Sequence, residues 1–177
     1  MTSVGLRSEP GQLAPAFSSE RRARMGPRLR ALLDVCPPRG AVADVGSGHG
    51  RLALELKRQD PSRRVFATEI KPGPQAELSR LLGAESGVQV LAGEGLRPLL
   101  GLGCHGVVIA GIGGVTIARM LAHEREMAGT LEWLVLQPAQ REDRLQRWLE
   151  EVGWPLRSHH QVLEKAHLYQ VFVVAPR

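Results

Sequence analysis

A chain of 177 residues is long enough to bury one hydrophobic core and too short for two ordinary domains. With 43% hydrophobic residues and no apolar run near the ~20 residues that cross a bilayer, we expect a soluble protein without a membrane segment. We find no signal-peptide pattern at the N-terminus and therefore expect a cytoplasmic location. The formal net charge of +5 is compatible with a nucleic-acid partner but does not require one.

The cysteine pattern argues against metal-binding and disulfide-rich proteins. Cys36 and Cys104 form no C-x-x-C pair, and no histidine lies beside them at the spacing of metal ligands. We interpret both as buried free thiols and expect no metal site.

The N-terminal part of the chain predicts an arm followed by a basic helix. Residues 1–19 mix Gly, Pro, Ser and Gln without periodicity, which predicts a flexible arm, with a single domain over residues 20–177. The next segment is the most basic of the chain, and its five arginines are Arg21, Arg22, Arg24, Arg28 and Arg30. Pro27 suits the first position of a helix with an apolar face. The arginines are either a solvated helix face or a patch that contacts phosphates, and we expect any tRNA contact through this helix.

Downstream, strands and helices are predicted in alternation. The predicted strands begin with the apolar run after Gly40 and continue at residues 64–69, 88–92, 105–111 and 132–138, while the predicted helices cover about 50–58, 71–82, a segment from 112 and 142–152. This alternation is typical of an α/β protein with a doubly wound parallel sheet. Two further extended runs, 156–163 and 168–174, are joined by four residues and are therefore expected to form an antiparallel hairpin. A parallel sheet that ends in such a hairpin is typical of the Rossmann-like class I methyltransferase fold.

Three glycines at alternate positions, Gly46, Gly48 and Gly50, follow the first predicted strand. Glycines at such a turn let the backbone approach a ligand closely. A dinucleotide fingerprint would need its third glycine where Arg51 stands. The pattern G-x-G-x-G, with Asp44 two residues ahead of it, suits a ligand without a pyrophosphate.

Two acidic residues are predicted to meet this loop. Glu69 ends the second predicted strand and Glu94 follows the third. Because ligands of doubly wound sheets bind outside the carboxyl ends of the strands, we expect the loop and both acids at one crevice. Glu69 would hold two ribose hydroxyls and Glu94 would meet an adenine edge, which points to S-adenosylmethionine.

Several motifs together resemble one known family. The series A-D-V-G-S-G-H-G-R-L, T-E-I-K-P-G-P, A-G-E-G-L, V-I-A-G-I-G-G, L-V-L-Q-P and L-E-K-A-H-L-Y-Q-V is similar to the bacterial tRNA adenine-N1 methyltransferases that act on adenine 22. The resemblance covers residues 25–175 and implies S-adenosylmethionine as cofactor and tRNA as partner. The cofactor site that it predicts comprises Asp44, Gly46, Ser47, Gly48, His49, Glu69, Glu94, Gly95, Ala110, Gly111 and Gly113.

For methylation at N1, the family reaction implies positioning rather than proton transfer, because that nitrogen has its own lone pair. The candidates for stabilising the cationic product are the carbonyls of Ala110 and Gly111 and the side chain of Gln137. We identify no catalytic acid or base. Tyr169 is interpreted as either a base-stacking residue or a core residue.

Four positions depart from the family pattern, and at one of them Glu94 replaces an aspartate, which moves the carboxylate by one methylene. Gly48, Arg51 and Ala139 stand where the family usually has an aspartate, an aromatic residue and an asparagine. Two alternatives therefore stay open. One is a class I methyltransferase that acts on another acceptor, and the other is a non-catalytic module that binds the cofactor or RNA.

Overall fold

The computed structural model of the protein describes residues 22–70, 72–83 and 86–176. The helices are α1 (Pro27–Val35), α2 (Arg51–Gln59), α3 (Pro72–Leu82), α4 (Gly114–His123), α5 (Arg125–Gly129) and α6 (Glu142–Glu151), with one 3-10 turn at Arg97–Leu99. The strands are β1 (Val42–Val45), β2 (Val65–Glu69), β3 (Val88–Ala92), β4 (Gly106–Ile112), β5 (Trp133–Pro138), β6 (Leu156–Glu164) and β7 (His167–Val174). The predicted arm over residues 1–19 lies outside the described residues.

The strands of the described chain form one sheet in the order β3-β2-β1-β4-β5-β7-β6. Strands β1 to β5 run parallel, and β7 is antiparallel to both β5 and β6. The chain between β6 and β7 is too short for a parallel crossover, which explains the hairpin. The predicted parallel sheet with its C-terminal antiparallel hairpin is confirmed. The strand order reverses between β1 and β4, and ligand sites of such sheets lie at the carboxyl ends of these strands.

Helices cover both faces of the sheet because each contributes one apolar stripe. On one face, α4 and α6 bury Ile117, Leu121, Leu145 and Leu149. On the other face, α1, α2 and α3 bury Leu32, Leu33, Leu52, Leu56 and Leu78. On the second face, α1 lies beside the carboxyl ends of β1 and β4, where the strand order reverses.

The tryptophans pack in the core and at its margin. Trp133 lies next to Gly106 in the β4–β5 register, and a Cβ at residue 106 would collide with its indole ring. Trp148, on α6 beside the buried Leu145 and Leu149, is half-buried. Its ring meets that of Trp154 edge to face, with centroids 5.3 Å apart.

The predicted elements appear in the predicted order, with bounds that differ by one or two residues. Helix α5 and the 3-10 turn were not predicted. Segments of five and three residues are too short to show a helical period in the sequence.

Candidate active site

The loop between β1 and α2 depends on backbone conformations that glycine adopts without strain. Gly46, Gly48 and Gly50 have φ values of 71°, 55° and 67°. A Cβ at residue 50 would lie 2.6 Å from Cδ1 of Leu78, whereas a Cβ at residue 48 would meet nothing within 4 Å. The backbone N–H groups of residues 46 and 47 donate to the carbonyl of Thr68, at 3.1 and 3.0 Å. The loop is therefore fixed to β2 and α3 before any ligand binds.

Asp44 is the charged residue that the fold buries beside this loop. Its side chain is only 4% exposed. Burial raises the pKa of Asp44 to about 6, although hydrogen bonds from the Ser47 side chain and the Ala53 backbone lower it in part. The hydroxyl of Ser47 also donates to the Asp44 carbonyl at 2.8 Å. Asp44 thus changes charge near neutral pH at the base of the glycine loop.

A cavity of about 450 Å³ opens where the glycine loop, α1, β4 and β6 meet. Its volume lies in the range of ~300–1,000 Å³ that is usual for small-molecule sites. The structure places these predicted site residues in its lining: Asp44, Gly46, Ser47, Gly48, His49, Ala110 and Gly111. Arg51, one of the positions that depart from the family pattern, lines it as well.

The remaining predicted cofactor residues lie outside the lining of this cavity. Glu69 ends β2, and its Oε1 accepts a hydrogen bond of 3.1 Å from the backbone of Ile70. Glu94 and Gly95 line a second cavity of about 440 Å³. Gly113 precedes α4. Because β2 and β3 follow β1 outward in the sheet, their ends lie to one side of the first cavity, and the roles of Glu69 and Glu94 stay predictions.

Gln137 contacts Arg28, and Arg28 lines the cavity. The amide of Gln137 is fully buried, and its Nε2 donates to the carbonyl of Pro138 at 2.6 Å. This bond leaves Oε1 to accept from a guanidinium nitrogen of Arg28 at 3.1 Å. A Cβ at Gly111 would lie 3.6 Å from that same nitrogen. The side chain of Arg28 therefore lies across the predicted candidates for product stabilisation.

The structure also brings to the cavity a residue for which we predicted no site role, Glu164. Glu164, at the end of β6, lines the cavity and approaches Arg28, with Oε2 3.9 Å from its Nε. The Tyr169 ring lies under the guanidinium, 5.2 Å from Cζ to the ring centroid. The sequence predicted the roles of Arg28 and Tyr169 only in part. Arg28 was one of several arginines in a possible phosphate-binding patch, and Tyr169 was interpreted as either a base-stacking or a core residue.

The described residues contain no metal site and no membrane-spanning helix, and their two cysteines are shielded. In residues 22–70, 72–83 and 86–176, no group of three His, Cys, Asp or Glu side chains could hold a metal ion. Among the same residues, no helix combines the length and the apolar character needed to cross a membrane. Burial raises the pKa of the Cys36 thiol to about 12 and that of Cys104 to about 11, which suits unreactive thiols.

Comparison with known proteins identifies the family. Residues 25–172 match the family model described as a methyltransferase domain. This chain belongs to that family. The tRNA (adenine(22)-N(1))-methyltransferase of Bacillus subtilis (strain 168) is 27% identical over 153 residues, which is 85% of this chain and 64% of that protein. The chain thus spans less than two thirds of the length of this relative.

Solved structures show the same fold for this methyltransferase domain. The B. subtilis m1A22 tRNA methyltransferase TrmK superposes with a TM-score of 0.76 at 26% identity, covering 86% of this chain and 66% of that one. Streptococcus pneumoniae Sp1610 in complex with S-adenosyl-L-methionine gives a TM-score of 0.78 at 29% identity, covering 84% and 71%.

Proposed function

We propose that this protein transfers a methyl group from S-adenosylmethionine to N1 of an adenine in tRNA. The observation that carries the proposal is the cavity at the point of strand-order reversal, which joins the glycine loop, the buried Asp44 and the Ala110–Gly111 segment. The similarity to the B. subtilis tRNA methyltransferase, over 85% of this chain, supports the choice of cofactor and acceptor.

The residues of the cavity fit this cofactor. Gly46 and Gly48, which line the cavity, carry no side chain, so that a ligand can lie against their backbone. Ionised Asp44 gives the cavity a negative charge that suits a cofactor of net positive charge. When bound, S-adenosylmethionine supplies a methyl group on a positively charged sulfur. We assign its ribose to Glu69 and its adenine edge to Glu94, at the neighbouring strand ends.

The chain's part in the reaction is to hold the acceptor in line and to stabilise a charge. The lone pair of adenine N1 forms the new bond to the methyl carbon, while the leaving thioether keeps the electron pair of the broken carbon–sulfur bond. The positive charge thereby passes from sulfur to the adenine ring, and no proton moves. Ala110, Gly111 and Glu164 line the cavity, and we assign the stabilisation of that charge to the two backbone carbonyls and the Glu164 carboxylate.

The basic segment is the proposed contact for the tRNA backbone. Arg24 is exposed, whereas Arg22 pairs with Asp34 and Arg28 lies in the cavity. Arg21 lies outside the described residues. We assign the phosphate contacts to Arg24 and to Arg30 on α1, which would raise the affinity for tRNA without reading its sequence.

The acceptor is tested by methyl transfer to unmodified tRNA. We expect labelled methyl to appear as 1-methyladenosine in the tRNA digest, and to disappear when adenine 22 of the transcript is replaced by guanine. Ribosomal RNA and protein fractions serve as the other acceptors. Measurable cofactor binding without transfer to tRNA would overturn the assignment.

The cofactor site is tested with Glu69→Ala in a calorimetric titration with S-adenosylmethionine. Hydrogen bonds to a charged group contribute about 1.5–3 kcal/mol each, so we expect affinity to fall at least about tenfold. Glu77→Ala, an exposed acid on α3, is the matched control and should bind as wild type does. Equal affinity of the Glu69 variant and this control would remove Glu69 from the site.

A further inference from the structure

Arg28 is held in place by Glu164, the last residue of β6. The backbone N–H of Arg28 donates to Oε1 of Glu164 at 3.3 Å, and its Nε lies 3.9 Å from Oε2 of the same carboxylate. Gly26 makes the approach possible, because a Cβ there would collide with Glu164. The first turn of α1 is thereby tied to β6, and the side chain of Arg28 is directed into the cavity.

Three kinds of partner surround the guanidinium. Tyr169 offers an aromatic face, Gln137 offers an amide oxygen at 3.1 Å, and Glu164 offers a carboxylate. The guanidinium is itself a planar cation that carries N–H donors. This combination is the one that a planar, cationic ring with an exocyclic amino group would also need.

We propose that the guanidinium of Arg28 occupies the place of the acceptor ring and is displaced when that ring enters. The inference rests on the proposed function, since the N1-methyladenine ring is planar, cationic and carries an amino group. Tyr169 then stacks on the ring, and Oε1 of Gln137 accepts from the amino group. Glu164 keeps its hydrogen bond from the Arg28 backbone, loses the ion pair with the guanidinium, and faces the positive charge that the ring acquires on methylation.

The same site explains a preference for the charged ring over the neutral one. Before transfer, adenine is neutral and competes poorly with a guanidinium that makes charge-assisted contacts. After transfer, the ring carries the charge that the pocket is built to hold. Glu164 therefore acts in the transition state, where the charge develops, more than in the binding of neutral substrate.

The test measures nucleoside binding rather than turnover. The probes are 1-methyladenosine, which is cationic, and adenosine, which is neutral, titrated into the full chain with S-adenosylhomocysteine present. Arg28→Ala removes the competing cation, so we expect it to bind 1-methyladenosine at least about tenfold more tightly than wild type does, which corresponds to one lost charged hydrogen bond. Arg80→Ala, an exposed arginine on α3, is the matched control and should leave this affinity unchanged.

Two further variants separate the partners of the ring. In the Arg28→Ala background, Glu164→Gln should abolish the preference for 1-methyladenosine over adenosine. Tyr169→Phe should keep the affinity for both, and Tyr169→Leu should lower both. Melting temperatures measured in parallel show whether each variant is folded.

The outcomes distinguish this inference from the proposed function. One outcome is that tRNA is methylated at N1 and Arg28→Ala binds 1-methyladenosine no better than wild type. Arg28 then stays in the site as a binding residue, and the proposal that its guanidinium occupies the place of the acceptor ring is overturned. If Arg28→Ala gains affinity while wild type methylates no tRNA, the ring site stands and the tRNA assignment fails.

Discussion

The two sides of the cavity are built differently. The proposed cofactor side is built mainly on a loop whose backbone is fixed by positive φ angles and close packing, as at Gly50 against Leu78. The proposed acceptor side consists of side chains, in which Arg28, Glu164 and Tyr169 come from three elements and remain partly exposed. The first side cannot change without disturbing the fold, whereas the second can change its ligand by substitutions that the fold tolerates. A domain of this kind can therefore retain its cofactor while its acceptor changes.

The largest expected effect comes from Gly50→Val. The new side chain would be strained at a φ of 67° and would collide with Leu78, so we expect a loss of several kcal/mol in the free energy of unfolding, and loss of cofactor binding with it. Gly48→Ala is the matched control, because a Cβ there meets nothing within 4 Å and only the strain of about 1 kcal/mol remains. Urea denaturation measures both. Equal losses for the two variants would contradict the close-packing argument.

A smaller effect is expected from Asp44, through pH. Burial raises the pKa of Asp44 to about 6, so the ionised fraction of Asp44 increases as pH rises through that value. The ionised carboxylate is the form that attracts the cationic cofactor. We expect the affinity for S-adenosylmethionine to rise about tenfold from about pH 5 to about pH 7 in wild type, and to lose this dependence in Asp44→Asn.

His49 lines the same cavity and supplies the control for that slope. His49→Gln should keep the pH dependence, whereas a pH dependence that survives in Asp44→Asn would contradict the assignment to Asp44. The pH dependence that Asp44 gives to the stability of the ligand-free protein has the opposite sign. Neutral Asp44 favours folding below its ordinary pKa of 3.8, and this contribution is lost as pH rises through about 6.

The smallest effect concerns the stability of the acceptor side. The Arg28–Glu164 pair is partly exposed, at 36% and 24% for the two side chains, and such pairs contribute about 0–1 kcal/mol. We therefore expect Glu164→Gln, which removes the charge and keeps Oε1, to change the free energy of unfolding by less than about 1 kcal/mol. Urea denaturation again measures it, and a loss as large as that of Gly50→Val would remove the distinction between the two sides.

This difference also determines how far the sequence predicts the site. The glycine loop is local, so its conformation follows from residues that are adjacent in the chain, and hydrophobic periodicity predicts the strands on either side. The contacts of Arg28 with Gln137 and Glu164 join positions more than a hundred residues apart. No local pattern reports that Glu164 faces α1, because its position depends on β7 entering the sheet between β5 and β6. Short segments such as α5 escape prediction for the same lack of a repeating signal.

The tryptophans give the protein a built-in optical reporter. Trp133, Trp148 and Trp154 pack in the core or at its margin, and none of them lines the cavity that holds the glycine loop. Indole emission should therefore follow the loss of packing during denaturation and remain insensitive to nucleosides in the cavity. Folding and ligand occupancy can be read separately on one unlabelled sample, by fluorescence and by calorimetry.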